Sequence, residues 1–310
     1  MDKTKQALIF IELQFKSMFM HKPSLVDVLA MAVIAALGSV APVNAQESSH
    51  VHMHKVSGLK MPESVVQAQD GKIYVSEING FGVDGDGQIT VIENGKPRLF
   101  ASGLDDPKGL AIIGKYLYVA DKTKVLKIDM QGKAQVFADT KAFPEFPQFL
   151  NDLEADIAGN LYVSDSGDLK GAGGAIYKIN AQGQVSLILN SKQESRLLAP
   201  NGLLMDDTGD VLNVVDFVSG VLYGLNMKTH TFINLAEGFG GGDGLVHHSS
   251  GKMYVSDWKN GKVFSVNLAG EVAEIKAGYQ AAADIALTRD EQYLMVPDMK
   301  AGELDFIPLH

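Results

Sequence analysis

The 310-residue chain has no cysteine and a single tryptophan. Without thiols it has no disulfide framework, no thiolate nucleophile and no cysteine metal ligand. Basic residues are outnumbered: 27 Lys and Arg against 37 Asp and Glu give a formal charge of -10. A basic footprint for nucleic acid is therefore excluded. There is no G-x-S-x-G, which sets aside a serine-hydrolase elbow. The glycine-rich stretch Gly238 to Gly244 lacks a following Lys-Ser/Thr, so it does not read as a phosphate cradle.

Long apolar runs are also missing. The run from Val28 to Leu37 is too short to span a bilayer unaided. Preceded by His21 and Lys22 and followed by small residues ending at Val43-Asn44-Ala45, it resembles a secretory signal cleaved before Gln46. Three parts are expected: a leader and signal over 1–45, an N-terminal segment over 46–58 and a folded domain over 59–310. Cleavage removes four lysines and three acids and moves the formal charge from -10 to -11. The expected product is exported, periplasmic or secreted, and is not inserted in a membrane. Its sequence carries no signal of oligomeric state.

The rest of the chain is organised by repetition. From Leu150 to Gly167 it reads LNDLEADIAGNLYVSDSG: a polar opening residue, an apolar strand, a turn glycine and a second strand ending in an acid. Glu63-Gly71-Glu77 and Asp243-Gly251-Asp257 keep the same intervals, and Asn201-Gly209-Asp216 adds one residue. Lys108 to Asp121 is one residue short, and Asp284 to Asp298 lacks the glycine. The six opening residues lie 41 to 50 residues apart, the period of four-stranded propeller blades. Apolar residues alternate at period two (Ile73 and Val75, Leu161 and Val163), which excludes helical solenoids. The reading is all-β, a six-bladed β-propeller. Its last blade has three strands of its own, so circular closure by the N-terminal strand near Val51 to Val56 is expected. The stretch Asp84 to Ile89 is expected to be a hairpin turn rather than a calcium loop, since no helices flank it.

An acid closes every second strand: Glu77, Asp121, Asp165, Asp216, Asp257 and Asp298. A group needed by every blade is expected to be structural, accepting backbone N–H bonds. The opening residues differ in identity. Because the first strand of a blade is innermost, Glu63, Asn151, Asn201 and Asp243 are expected to converge at one mouth of the central channel. Two carboxylates and two amide oxygens form a hard, all-oxygen set suited to Ca²⁺ or Mg²⁺ and not to zinc.

At these residues the chain resembles the calcium-dependent six-bladed propellers of the gluconolactonase and regucalcin (senescence marker protein) family, with paraoxonase more distant. The resemblance rests on Pro62-Glu63, Asn151-Asp152, Pro200-Asn201-Gly202 and Asp243-Gly244. It implies Glu63, Asn151, Asn201 and Asp243 as metal ligands and Asp243 as general base. Two departures stand out: Ser64-Val65-Val66 follows the glutamate in place of Gly-Pro-x-Trp, and Phe149 occupies the position of an arginine in the sugar-lactone enzymes. With Phe143 and Phe146 it marks an apolar rim, and hence a more hydrophobic small-molecule lactone or ester than an aldonolactone. Lys108, Phe146 and Phe149 are the candidate substrate contacts, although for Lys108 an ion pair with Asp284 across the channel is the favoured role. The expected chemistry is Lewis-acid hydrolysis. The competing reading is a non-catalytic propeller like the NHL-repeat proteins, with a structural metal.

Overall fold

In a computed structural model, residues 54–309 are described; the expected leader and the start of the expected closing strand at Val51 lie outside them. Six four-stranded antiparallel sheets follow one another along the chain. Blade one is β2 (Pro62–Gln67), β3 (Ile73–Glu77), β4 (Gly87–Glu93) and β5 (Lys96–Leu104). Blade two is β6 (Pro107–Ile113), β7 (Tyr116–Asp121), β8 (Lys124–Ile128) and β9 (Ala134–Ala138). Blade three is β10 (Leu150–Ala155), β11 (Leu161–Asp165), β12 (Ala175–Ile179) and β13 (Val185–Asn190). Blade four is β14 (Pro200–Met205), β15 (Val211–Asp216), β16 (Val221–Asn226) and β17 (Phe232–Glu237). Blade five is β18 (Gly242–His247), β19 (Met253–Asp257), β20 (Lys262–Val266) and β21 (Val272–Ala277). Blade six has β22 (Ala286–Leu287), β23 (Tyr293–Asp298) and β24 (Glu303–Pro308), and its outer strand is β1 (Val56–Ser57). Val56 pairs with Leu304 and Ser57 with Glu303, so the propeller closes through its N-terminal strand as expected.

The turn between the first two strands of a blade needs a left-handed residue, and glycine supplies it in blades one, three, four and five (Gly71, Gly159, Gly209 and Gly251). In blade six Glu291 takes that slot at φ 55, its N–H donating to Thr288 O just as the Gly251 N–H donates to His248 O. Its carboxylate accepts from the Ser249 N–H at 3.0 Å, which ties the turn to blade five. This is how the sixth repeat dispenses with its glycine.

The core is a ring of layers between facing sheets. Tyr118 and Ala120 pack on Leu153 and Tyr177 between blades two and three, and Leu189 packs on Leu203 and Val214 between three and four. Val56, Leu59, Val65 and Val75 meet Met295 and Leu304 where blade six returns to blade one. The second strands are buried along their length, as in IYVSE and LYVSD, because they are covered on both faces. The outer strands β5 and β21 are mostly exposed, which is why Lys, Arg and Glu are tolerated there.

The closing acids bear out their structural reading. Asp165 accepts from the backbone N–H groups of Gln148 and Phe149 at 3.0 and 2.8 Å. Asp216 accepts from Leu198 and Ala199, and Asp298 from Gln280 and Ala281. Each buried carboxylate thus holds the loop that enters its own innermost strand, and so fixes where the channel residues begin. The stretch Asp84 to Ile89 is the expected hairpin connection, with Glu77 of β3 paired to Gln88 of β4.

Candidate functional site at the channel mouth

Every innermost strand breaks register immediately after its first paired residue. The ladder slips between Pro62 and Val65, Pro107 and Leu110, Leu150 and Leu153, Pro200 and Leu203, and Gly242 and Leu245. A bulge inserts one extra residue and re-aims a side chain. Here the first bulge residues are Glu63, Lys108, Asn151, Asn201 and Asp243, one from each of five blades. All five are buried.

In blade six the corresponding bridge is Ala282 to Asp298, so the equivalent residue is Ala283 and not Asp284. This corrects the expected alignment by one position. Asp284 belongs to the layer beneath, with Ser64, Gly109, Asp152, Gly202 and Gly244. Three of that layer are glycines because neighbouring inner strands nearly touch there. A Cβ on Gly109 would lie 2.5 Å from Asp152 Cα, and one on Gly244 would lie 2.7 Å from Asp284 Cα. Serines of the second strands satisfy amides of the same layer: Ser76 Oγ accepts from Ser64, Ser164 from Asp152 and Ser256 from Gly244. Blade six has Pro297 at that place, and the Asp284 N–H donates to Glu63 O instead, at 2.9 Å.

The register also explains why the expected ion pair between Lys108 and Asp284 does not form. Asp284 accepts from Ser64 Oγ at 2.5 Å, and that same hydroxyl accepts from the Leu110 N–H at 3.2 Å, joining blades six, one and two. Lys108 Nζ donates to Asp106 O at 3.1 Å and rests 4.2 Å from the centre of the Phe149 ring. Lys108 and Phe149 therefore act as one unit. Phe146 is 76% exposed and projects into solvent. Phe143 is buried against Tyr177, with ring centres 5.0 Å apart, so it is a core residue and not part of a rim.

The mouth is rich in buried negative charge. Burial, reinforced by Asp243 and Asp284, drives the Glu63 carboxyl well above its usual range against the opposing pull of Lys108. Burial, then Asp152, does the same to Asp243, with the Asn201 side chain opposing. Burial and Asp152 also raise Asp284. Asp152 is pushed up by burial to about 6, although backbone N–H groups of Leu203 and Leu153 bond its charged form. Glu154, deeper in the channel, is pushed by burial to about 8. Burial lowers Lys108, the one cation among them, although Glu63 holds it up.

Glu63 Oε2, Asn201 Oδ1 and Asp243 Oδ1 are buried and have no hydrogen-bond partner. Unpaired buried oxygens are costly and therefore uncommon. Three of them on three blades at one mouth, under raised carboxyls, form a donor set that fits a hard divalent cation. Asn151 Nδ2 is engaged by Ser166 Oγ at 3.1 Å. Among the described residues no cluster of three or more His, Cys, Asp or Glu is arranged to hold a metal, so the set depends on its two amide oxygens.

Two mouth residues were not legible beforehand. The residue after each closing acid sends its N–H back to the loop entering the innermost strand: Ile78 to Met61 O, Lys122 to Asp106 O, Ser166 to Phe149 O, Phe217 to Ala199 O, Trp258 to Gly241 O and Met299 to Ala281 O. Phe217 and Trp258 thereby stand over the loops that carry Asn201 and Asp243. The signal was their shared place directly after Asp216 and Asp257.

The family described as the SMP-30/Gluconolactonase/LRE-like region matches residues 61–296, and the chain belongs to that family. No curated protein matches its sequence. Among solved structures it is similar to a gluconolactonase of Xanthomonas campestris, at TM-score 0.69 and 14% identity over 82% of this chain and 88% of the other. A calcium-binding protein, regucalcin, of Agrobacterium tumefaciens superposes at TM-score 0.67 with 18% identity over 80% and 90% of the two chains. A chain of a nidogen/laminin complex reaches TM-score 0.58 with 21% identity over 70% and 79%. At such identities these likenesses establish the six-bladed fold. Among the described residues no helix is long and apolar enough to cross a membrane.

Proposed function

We propose that the protein is a calcium-dependent hydrolase of lactones or related esters, and that it acts in exported form. The observation that carries the reading is the trio of unpaired oxygens on Glu63, Asn201 and Asp243 in a buried, negatively charged mouth. Family membership supports the lactonase class, and a neighbouring fold described as calcium-binding supports the metal. Glu63, Asn151, Asn201 and Asp243 would hold the ion, with Mg²⁺ as the alternative. When bound, the ion supplies Lewis acidity that polarises a carbonyl and stabilises negative charge on its oxygen.

The chain's own part is proton management and exclusion of water. Asp243 takes a proton from the attacking water as the water oxygen bonds to the carbonyl carbon. It returns that proton to the alkoxide oxygen released when the ring or ester C–O bond breaks. Burial, then Asp152, raises this carboxyl in the cation-free site, and a bound cation would hold it in the charged form that can accept a proton. Lys108, held by Asp106 O and the Phe149 ring, adds positive potential on the opposite side.

Turnover of a panel of lactones and aryl esters, with calcium and with chelator, tests the proposal. Hydrolysis that chelation abolishes and calcium restores is expected. No turnover on any member would place the protein with the non-catalytic propellers.

A further inference from the structure

The channel mouth is two-sided. Over blades two and three, the residues following the closing acids are polar: Lys122, paired with Asp84, and Ser166, bonded to Pro200 O. Over blades four, five and six they are Phe217, Trp258 and Met299. The Phe217 and Trp258 rings lie 6.2 Å apart, and the indole N–H points at Met299 Sδ at 3.4 Å. Trp258 and Met299 pack with Ala281 and Ala283, so the apolar surface reaches the first ring of the channel between Asp243 and Glu63. Phe217 and Trp258 are only half-buried, leaving ring surface open.

Two ammonium groups lie on this surface. Lys259 Nζ sits 4.2 Å from the Phe217 ring centre, and Lys300 Nζ sits 4.1 Å from that of Trp258. Both lysines are exposed, and neither is paired with a carboxylate among the described residues. Lys259 Nζ donates to the backbone carbonyl oxygens of Phe217 at 3.0 Å and Gly240 at 3.5 Å, so both lysine charges lie over an apolar shelf beside the candidate centre with no carboxylate among the described residues to neutralise them. Such a shelf suits a hydrocarbon segment ending in an anion and offers sugar hydroxyls almost no hydrogen-bond partners.

We infer that Phe217, Trp258 and Met299, with Lys259 and Lys300 above them, bind the remote part of the substrate: an aliphatic lactone or ester carrying a carboxylate at the end away from the scissile bond. The assignment of substrate class rests on the hydrolase reading; the binding of an amphipathic carboxylate does not. The carbonyl end lies toward Asp243 and Glu63, the chain runs over Trp258, and the carboxylate meets the two lysines.

Trp258 is the only tryptophan in the chain, so its fluorescence reports on the shelf without any need for turnover. The calcium-loaded protein is titrated with butanoate, hexanoate, octanoate and gluconate. A saturable change in emission is expected for the fatty acids, with roughly fourfold tighter binding per methylene while the chain remains on the shelf. Gluconate is expected to give no change. In the Lys259→Ala/Lys300→Ala double variant octanoate should bind about tenfold more weakly. In the turnover assay, Trp258→Ala should lower the ratio of kcat/KM for a carboxyalkyl lactone over an unsubstituted lactone by about tenfold. Turnover with an unresponsive tryptophan, or equal octanoate affinity in the double variant and wild type, overturns the inference and leaves the hydrolase reading standing. Saturable octanoate binding with no turnover of any lactone does the reverse.

Discussion

Adding calcium to the chelated protein is expected to raise its melting temperature, by an amount that follows from the mouth. Each of the three unpaired buried oxygens carries a desolvation cost of ~1–3 kcal/mol when no partner is present. Glu63 and Asp243 add repulsion, since each carboxyl is raised partly by neighbouring acids. A cation that binds only the folded state relieves both, and stabilises by RT ln(1 + [L]/Kd), about 2.7 kcal/mol at a hundredfold excess over Kd. For a domain of this size each kcal/mol moves the midpoint by ~2–4 °C, so an increase of roughly 5–10 °C is expected. The assay is thermal unfolding after chelation, then across a calcium titration, at several pH values. Protons compete with the cation for carboxyls whose folded pKa is raised, so the calcium-dependent gain is full at alkaline pH and shrinks as pH falls. Without the cation the sign reverses for Asp152: its folded pKa near 6 exceeds the unfolded value of 3.8, so it costs stability above pH 6 and the cost fades toward pH 4. A melting temperature indifferent to calcium at pH 8 would refute the metal reasoning.

Two further expectations concern the layer beneath the ligands. Gly109→Ala should destabilise by ~1–3 kcal/mol or more, because its Cβ would meet backbone atoms of blade three at 2.5 to 2.7 Å; urea denaturation within ~0.5 kcal/mol of wild type would contradict the close approach. Ser64→Ala removes the hydroxyl that donates to Asp284 and accepts from the Leu110 N–H, at roughly 1–3 kcal/mol for each group left alone, and an unchanged denaturation midpoint would show that water replaces it.

Much of this fold was legible because a propeller writes its blade into the sequence six times, and the closing acids, turn glycines and period-two strands survive divergence. The misalignment of the sixth blade has a physical cause. Ala283 to Asp298 spans fifteen residues, as Asn201 to Asp216 does, while Asp284 happened to preserve the commoner interval of fourteen. The turn glycine that would have fixed the register is replaced by Glu291, held by contacts to blade five that no local pattern encodes. The bulges that turn Glu63, Asn151, Asn201 and Asp243 inward depend on pairing between strands, and so could be inferred only from the converging positions. Phe143 and Phe149 looked alike in one loop, yet one is core and the other carries Lys108. Which ring faces a neighbouring blade is decided by tertiary packing and not by spacing.

In the proposed chemistry Asp243 both holds the cation and moves the proton, whereas Glu63 only holds the cation. Asp243→Asn and Glu63→Gln each keep an oxygen and lose a charge, so calcium affinity should fall in both. Hydrolysis measured across a calcium titration separates them. Saturating calcium is expected to restore most of the Glu63→Gln activity and to leave Asp243→Asn depressed by ~10²- to 10⁴-fold, the usual general-base contribution. Equal recovery of both variants would contradict the account and reduce Asp243 to one ligand among four.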